Sequence, residues 1–227
     1  DDPMQAQTPR GWERLVGVSE DIRVKGAPSE NLVVRVSRHG PVISDAGGVA
    51  GEVAGASGNA PYGLAMRWTA LDADSDPIAA GLAIARATSA ADFVDAATRL
   101  WVAPMQNMVV ADRAGQIAVV SPGRVPLRKR DNDLMGLVPA PGWDARYDWQ
   151  GFIPAAQTPR ETQPARGWIA SANQRIHGND YPYYLTSEWA VPYRQQRIEQ
   201  LLRARDKHSI GDMAAMQADV LSLATQR

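Results

Sequence analysis

The sequence contains no cysteine. Disulfide bonds, thiolate nucleophiles and cysteine-ligated metal sites are therefore excluded. Because a protein without thiols functions equally well in oxidising and reducing compartments, this absence leaves the compartment open.

The chain also lacks an excess of charge of either sign and a long hydrophobic run. Its 24 basic and 25 acidic side chains give a net charge of -1, which supplies no basic surface for a nucleic-acid backbone. No apolar stretch reaches the roughly 20 residues that a helix needs to cross a bilayer. The first residues carry no basic segment followed by an apolar one, so they do not form a signal peptide. We therefore expect neither nucleic-acid binding nor a membrane span.

Motifs of the common hydrolase and nucleotide sites are missing as well. No Gly-x-Ser-x-Gly nucleophile motif is present, and the glycines give neither a dinucleotide-binding nor a Walker pattern. The three histidines, His39, His177 and His208, have no zinc-ligand spacing. A histidine-based triad stays an alternative, but local motifs do not favour it.

The residues that are present predict strands in hairpins with helices beside them. We expect strands over 32–36, 64–69 and 168–171, and a β-hairpin over 108–110 and 117–120. Asp76, Ser89, Pro192 and Ser209 are predicted to begin helices. Because the strands pair as hairpins and do not alternate with helices, the pattern indicates an α+β fold.

Two segments are expected to be loops. Residues 46–61 are rich in glycine and are predicted to form a mobile loop. Residues 122–166 are predicted to be a long ordered loop region, because the aromatic side chains there would bury a large apolar area. The chain has no start methionine, and its C-terminal amphipathic pattern stops without a glycine or proline stop signal, so we expect 1–227 to be a single segment of a longer protein.

Nine short runs, in this order along the chain, resemble the central β-chain stretch of the penicillin amidase (penicillin acylase) family. Each run is weak alone, but their common order is specific, and the resemblance extends from about residue 20 onward. The runs are 20–26 (EDIRVKG), 37–43 (SRHGPVI), 104–107 (PMQN), 111–115 (ADRAG), 149–154 (WQGFIP), 167–173 (GWIASAN), 180–182 (DYP), 192–198 (PYRQQRI) and 216–219 (MQAD).

This resemblance implies a portion of the four-layered αββα sandwich of N-terminal nucleophile hydrolases. Members of the family cleave amide bonds between an acyl group and an amine, in β-lactam antibiotics, acyl-homoserine lactones or related lipopeptides. They are made as precursors that cut themselves at a Gly-Ser junction. The serine released as the first residue of the β chain attacks the carbonyl while its own α-amine takes the proton.

No Gly-Ser pair is present in this sequence, so the nucleophile is expected in a segment outside it. We therefore expect the chain alone to be inactive and to need the remaining α- and β-chain segments of its precursor, with an acylated amine as substrate. The family implies a periplasmic location. The alternative is a non-catalytic binding or scaffold module that retains the family core.

The resemblance assigns a role to two residues of the chain. Asn173, in the Ala-Asn run, corresponds to the asparagine that donates its side-chain amide to the tetrahedral oxyanion. Arg194 corresponds to the arginine beside that asparagine, which holds the site in order, and Arg197 competes for this assignment. Without the resemblance, Asn173 would be interpreted as a turn residue and Arg194 as a surface arginine paired with Glu188 or Glu199.

The family also implies one structural calcium ion. The corresponding aspartate would fall near 184–185, where the sequence has no carboxylate. We therefore predict no cofactor in this chain, although calcium is possible in the full protein.

Overall fold

The structure, a computed structural model, describes residues 2–55 and 62–225. These residues form both antiparallel strands and helices, which confirms the α+β prediction. The elements in chain order are β1 (Gln5–Thr8), β2 (Gly11–Arg14), β3 (Val16–Ile22), β4 (Glu30–Ser37), β5 (Gly40–Pro41), α1 (Gly48–Gly55), α2 (Pro77–Ala85), α3 (Ala90–Leu100), β6 (Met108–Ala111), β7 (Ile117–Val120), β8 (Pro126–Arg128), β9 (Trp149–Phe152), β10 (Arg160–Thr162), α4 (Tyr193–Arg203) and α5 (Ile210–Gln217). No helix within the described ranges is both long and apolar enough to cross a membrane.

The chain divides into two compact units. Unit 1 comprises Asp1–Ala73 and Pro126–Gly151, and unit 2 comprises Asp74–Val125 and Phe152–Arg227. The residues that the sequence analysis assigns to the site, Asn173 and Arg194, both belong to unit 2.

Unit 1 contains a three-stranded antiparallel sheet in the order β3-β4-β5. Strand β4 confirms the strand predicted over 32–36. The turn before β5 requires glycine, because Gly40 has a φ of +114° and an added Cβ would lie 2.3 Å from the carbonyl oxygen of Met66. This close approach explains the glycine in the 37–43 run.

Unit 2 is built on an antiparallel sheet in the order β10-β7-β6, with α3 packed against it. The β6–β7 pair confirms the predicted hairpin. Ala97 of α3 is fully buried, as is Val120 of β7. The predicted N-cap of α3 is confirmed too, since the Ser89 hydroxyl accepts a hydrogen bond from the Asp92 amide at 3.0 Å.

The loop predictions need correction. Helix α1 occupies Gly48–Gly55, so a mobile loop is wrong for those residues, and 56–61 lie outside the described residues. Three of its eight residues are glycine, so propensity does not favour the helix; tertiary packing, in which Ala54 is buried, overrides propensity here. The ordered region predicted over 122–166 contains three short strands, of which β10 joins the central sheet of unit 2 through β7.

Two predicted strands are also wrong. Residues 64–69 make one isolated bridge, between Val42 and Ala65, and then a turn of 3₁₀ helix at Thr69–Leu71. Residues 168–171 form no strand. β-branched and aromatic side chains give both segments a strand-like composition, but strand propensity is easily overridden by tertiary contacts.

Helices α4 and α5 confirm the two helices predicted near the C-terminus, and Ser209 caps α5 as predicted. The segment that follows α5 is tied to α4 by Arg197, which donates to Asp219 through Nε at 3.0 Å and Nη2 at 2.7 Å. This paired geometry is the strongest that arginine makes with a carboxylate. The hydrogen bonds from Arg197 hold the pKa of Asp219 below its ordinary value of 3.8.

We predict that Arg197→Gln makes the stability of the protein less sensitive to acid. A carboxyl with a depressed pKa in the folded state contributes stability that is present above pH 3.8 and lost as the pH falls through its lower, folded value. Thermal unfolding measured from neutral to acidic pH checks this. The variant should melt lower than wild type near neutral pH, and the two curves should converge in acid.

Arg203→Gln is the matched control, because it removes the exposed Arg203–Glu199 pair from the same helix. Such exposed pairs contribute about 0–1 kcal/mol. Parallel melting curves for wild type and Arg197→Gln at every pH would contradict the prediction.

Candidate functional site

Asn173 lies at the end of the irregular segment 168–173, with its side chain exposed. Its φ of 64° is in the left-handed region. Asparagine occupies this region more readily than other residues with a Cβ. Its carbonyl oxygen accepts a hydrogen bond from the Ala190 amide at 3.1 Å, which fixes the backbone from which the side chain projects.

Arg194, the second residue of α4, holds the Asn173 side chain. Its Nη2 donates to the Ala172 carbonyl oxygen at 2.7 Å and to Asn173 Oδ1 at 3.3 Å. A guanidinium has donors and no acceptor, so it is the amide oxygen of Asn173 that faces it. The amide nitrogen is then directed away from Arg194, and it has no hydrogen-bond partner within 2–55 and 62–225.

This arrangement leaves two N–H donors of a neutral side chain free to meet a negative oxygen. A neutral N–H donor that already points at the reacting oxygen stabilises the negative charge that develops on it, and the donor itself transfers no proton. The adjacent guanidinium also polarises the amide, because hydrogen bonds in a chain strengthen one another. The geometry therefore leaves Asn173 able to donate to an oxyanion.

Side chains, and not a neighbouring strand, hold the segment that leads to Asn173. Gln195, which is buried, donates from Nε2 to the Ala170 carbonyl oxygen at 3.3 Å and to Glu199 at 3.0 Å. Gln174 Oε1 accepts from the Ala172 amide at 2.9 Å. Sequence reasoning missed Gln195; its position next to Arg194 in the 192–198 run was the available signal.

The two arginines of the 192–198 run have different partners. Arg194 contacts Asn173, whereas Arg197 pairs with Asp219. Among the described residues Arg194 forms no ion pair, and Glu199 accepts instead from Gln195 and Arg203. Geometry therefore favours Arg194 over Arg197 as the partner of the asparagine.

A cavity of about 550 Å³ lies against the same segment, lined in part by Ser171 and Gln174. Its wall contains the Trp168 ring, and the guanidinium groups of Arg166 and Arg203 lie 5.0 and 5.6 Å from the ring centroid. Hydrogen bonds that Arg166 donates to the Glu161 carboxylate raise the pKa of Arg166. Charged side chains and apolar ones such as Ile169 and Ile176 line the cavity together, so it is not a purely apolar pocket.

His39, which lies in the 37–43 run, makes a hydrogen bond that joins two segments of unit 1. Nε2 of His39 lies 3.1 Å from the Gly142 carbonyl oxygen, a hydrogen bond that ties the His-Gly-Pro turn to the segment before β9. No cluster of three or more histidine or acidic side chains is arranged to bind a metal in the described ranges. At 184–185, where the family resemblance would place a calcium ligand, the residues are Tyr184 and Leu185, which supply no carboxylate.

Comparisons with known proteins identify the family. The family model for penicillin amidase matches residues 1–227. The penicillin acylase 2 proenzyme of Pseudomonas sp. (strain SE83) is 34% identical over 214 residues, which is 94% of this chain and 25% of the relative. The acyl-homoserine lactone acylase QuiP of Pseudomonas aeruginosa is 32% identical over 213 residues, covering 93% and 24%.

A solved structure shares the fold. A thermostable penicillin G acylase from Alcaligenes faecalis superimposes with a TM-score of 0.74 at 22% identity, covering 96% of this chain and 36% of that one. The chain spans about a quarter of the length of the curated relatives it matches. With the family match across the full sequence and the shared fold, this chain belongs to the penicillin amidase family.

Proposed function

We propose that this chain is part of an amidohydrolase that cleaves a linear amide between an acyl group and an amine. The nucleophile is a serine at the N-terminus of a processed segment outside these 227 residues. Two observations support this: the family match, and relatives named as acylases of penicillin and of acyl-homoserine lactones. One of those relatives is named a proenzyme, which fits a precursor that cleaves itself.

In the proposed reaction the serine hydroxyl attacks the amide carbonyl, and the serine α-amine accepts the hydroxyl proton. The carbonyl oxygen becomes an oxyanion in the tetrahedral intermediate. Asn173 Nδ2 donates to that oxygen, and Arg194 holds the asparagine by its Oδ1. Collapse of the intermediate expels the amine, which takes up the proton, and water then hydrolyses the acyl-serine.

The observation that carries this proposal is the Arg194–Asn173 contact. The contact occupies the acceptor of the asparagine amide and leaves its donors available. A turn-forming asparagine does not need such a contact. The contact supports the oxyanion role proposed for Asn173 and the positioning role proposed for Arg194.

The substrate is proposed only as a class, an acylated amine such as a β-lactam side-chain amide or an acyl-homoserine lactone. An apolar acyl pocket distinguishes chains that differ by one methylene by about 1–3 kcal/mol. We place the protein in the periplasm, where an enzyme acting on antibiotics or on diffusible signals meets its substrate. Structural calcium, if the full protein binds it, is held by other segments.

We predict that Asn173→Gly in the processed full-length protein lowers kcat by about 10²–10³-fold and changes KM little. Glycine is the appropriate replacement because it accepts the φ of 64° without strain, whereas alanine adds a backbone cost of about 1–2 kcal/mol. Steady-state hydrolysis of a chromogenic anilide measures the effect.

Met135→Gly is the matched control, since Met135 has a φ of 49° and lies in unit 1. It should retain wild-type kcat. Precursor processing is followed on denaturing gels, so that a processing defect is not mistaken for a slow chemical step. Wild-type kcat in processed Asn173→Gly would overturn the oxyanion role.

We also predict that the 227-residue chain alone does not turn over acylated amines. Adding the serine-bearing segments should give burst release of the chromogenic amine under conditions in which deacylation is slower than acylation, because the acyl-enzyme then accumulates. The rival function, a non-catalytic binding or scaffold module, predicts a different result. In that case the isolated chain binds the amide, and the added segments produce no burst.

A further inference from the structure

The side chain of Asn107 joins two segments of unit 2. Its Nδ2 donates to the Ser171 hydroxyl oxygen at 2.8 Å, and its Oδ1 accepts from the Ser121 hydroxyl at 2.8 Å. Because both ends of the amide are engaged, the side chain is held in place between the two serines.

Ser121 is the rigid end of this connection. It directly follows β7, is 2% exposed, and its backbone amide donates to the Pro159 carbonyl oxygen at 2.9 Å. Buried, hydrogen-bonded positions beside a core strand are among the least mobile in a domain.

A glycine allows the Asn107 segment to approach Ser121 so closely. Gly123 has a φ of +145°, and an added Cβ would lie 2.9 Å from the Cα of Met105. Any other residue would push the backbone near Met105 away, and with it Asn107. The 104–107 run is therefore packed against the end of β7 by its backbone as well as by the Asn107 side chain.

Ser171 is the other end of the connection, two residues before Asn173. Its neighbours in the irregular segment are held by their carbonyl oxygens, Ala170 by Gln195 and Ala172 by Arg194. Ser171 is held through its hydroxyl by Asn107. The contact with Asn107 therefore links the segment that carries Asn173 to the buried end of β7.

We propose that Asn107 is a positioning residue that aims the Asn173 amide at the oxyanion. The inference rests on the proposed function of Asn173. A catalytic donor needs to be held within about 0.5 Å of its productive position, and a displacement of about 1 Å can cost about 10²-fold in rate. Residues 168–173 lack a strand ladder, so side-chain anchors such as Asn107 supply that precision.

The test is Asn107→Ala in the processed full-length protein. The expected result is a fall in kcat of about tenfold with KM unchanged, because an oxyanion donor acts only in the transition state. Asn107→Asp should restore kcat to within about threefold of wild type. A carboxylate accepts hydrogen bonds from both serine hydroxyls and so keeps both contacts.

A second substitution shows whether Asn107 acts through Asn173. In an Asn173→Gly background, Asn107→Ala should lower kcat by less than about twofold further, since the donor that it aims is already absent. An undiminished tenfold loss in that background would overturn the proposal. Asn31→Ala is the matched control, because it removes an Asn–Ser hydrogen bond of the same length, 2.8 Å, between β4 and β3; it should retain wild-type kcat.

The outcomes separate this inference from the function on which it rests. Wild-type kcat in Asn173→Gly would overturn both. A slow Asn173→Gly together with wild-type kcat in Asn107→Ala, or a change in KM alone, would overturn only the positioning role. If Asn107→Ala does not yield processed protein, Ser171→Ala removes the same contact and carries the same expectations, including the small further loss beside Asn173→Gly.

Discussion

The site depends on one guanidinium group that bridges two consecutive residues. Arg194 donates to the carbonyl oxygen of Ala172 and to the side-chain oxygen of Asn173. The first contact fixes the backbone that enters the asparagine, and the second fixes its amide. A left-handed residue at the end of an irregular segment would otherwise sample several orientations. The electrostatic role proposed for Asn173 requires that freedom to be removed before the substrate arrives.

Three residues of helix α4, close together in sequence, each hydrogen-bond to a different part of unit 2. Arg194 contacts the asparagine, Gln195 contacts the segment before it, and Arg197 pairs with Asp219 beyond α5. A helix is rigid at this scale, so a side chain built on it is more accurately placed than one on a loop. The exposed side chain of Asn173 is thereby held by a residue of a helix.

Features set by local chemistry could be predicted from the sequence. The structure contains the predicted helix caps at Asp76, Ser89 and Ser209 and the predicted β6–β7 hairpin. Each of these features depends only on residues that are close in sequence. The pairing of Asn173 with Arg194 came from the family resemblance, since neither residue is distinctive alone.

The sequence predictions fail where hydrogen bonds from side chains far away in sequence determine the backbone conformation. Residues 168–171 have a strand-like composition, yet their partners are side chains such as Gln195, which lies 25 residues from Ala170 in sequence. The Asn107–Ser171 contact spans 64 residues and leaves no local pattern. Hydrophobic periodicity and secondary-structure propensity depend on residues a few positions apart, so they predict neither contact.

The most direct test of the account is a crystal structure of the processed full-length protein with its nucleophilic serine bound to a phosphonate, whose oxygen occupies the oxyanion position. The account predicts Asn173 Nδ2 about 2.7–3.1 Å from that oxygen, with Arg194 still bound to Asn173 Oδ1. A phosphonate oxygen held entirely by other donors, with the Asn173 amide directed elsewhere, would contradict it.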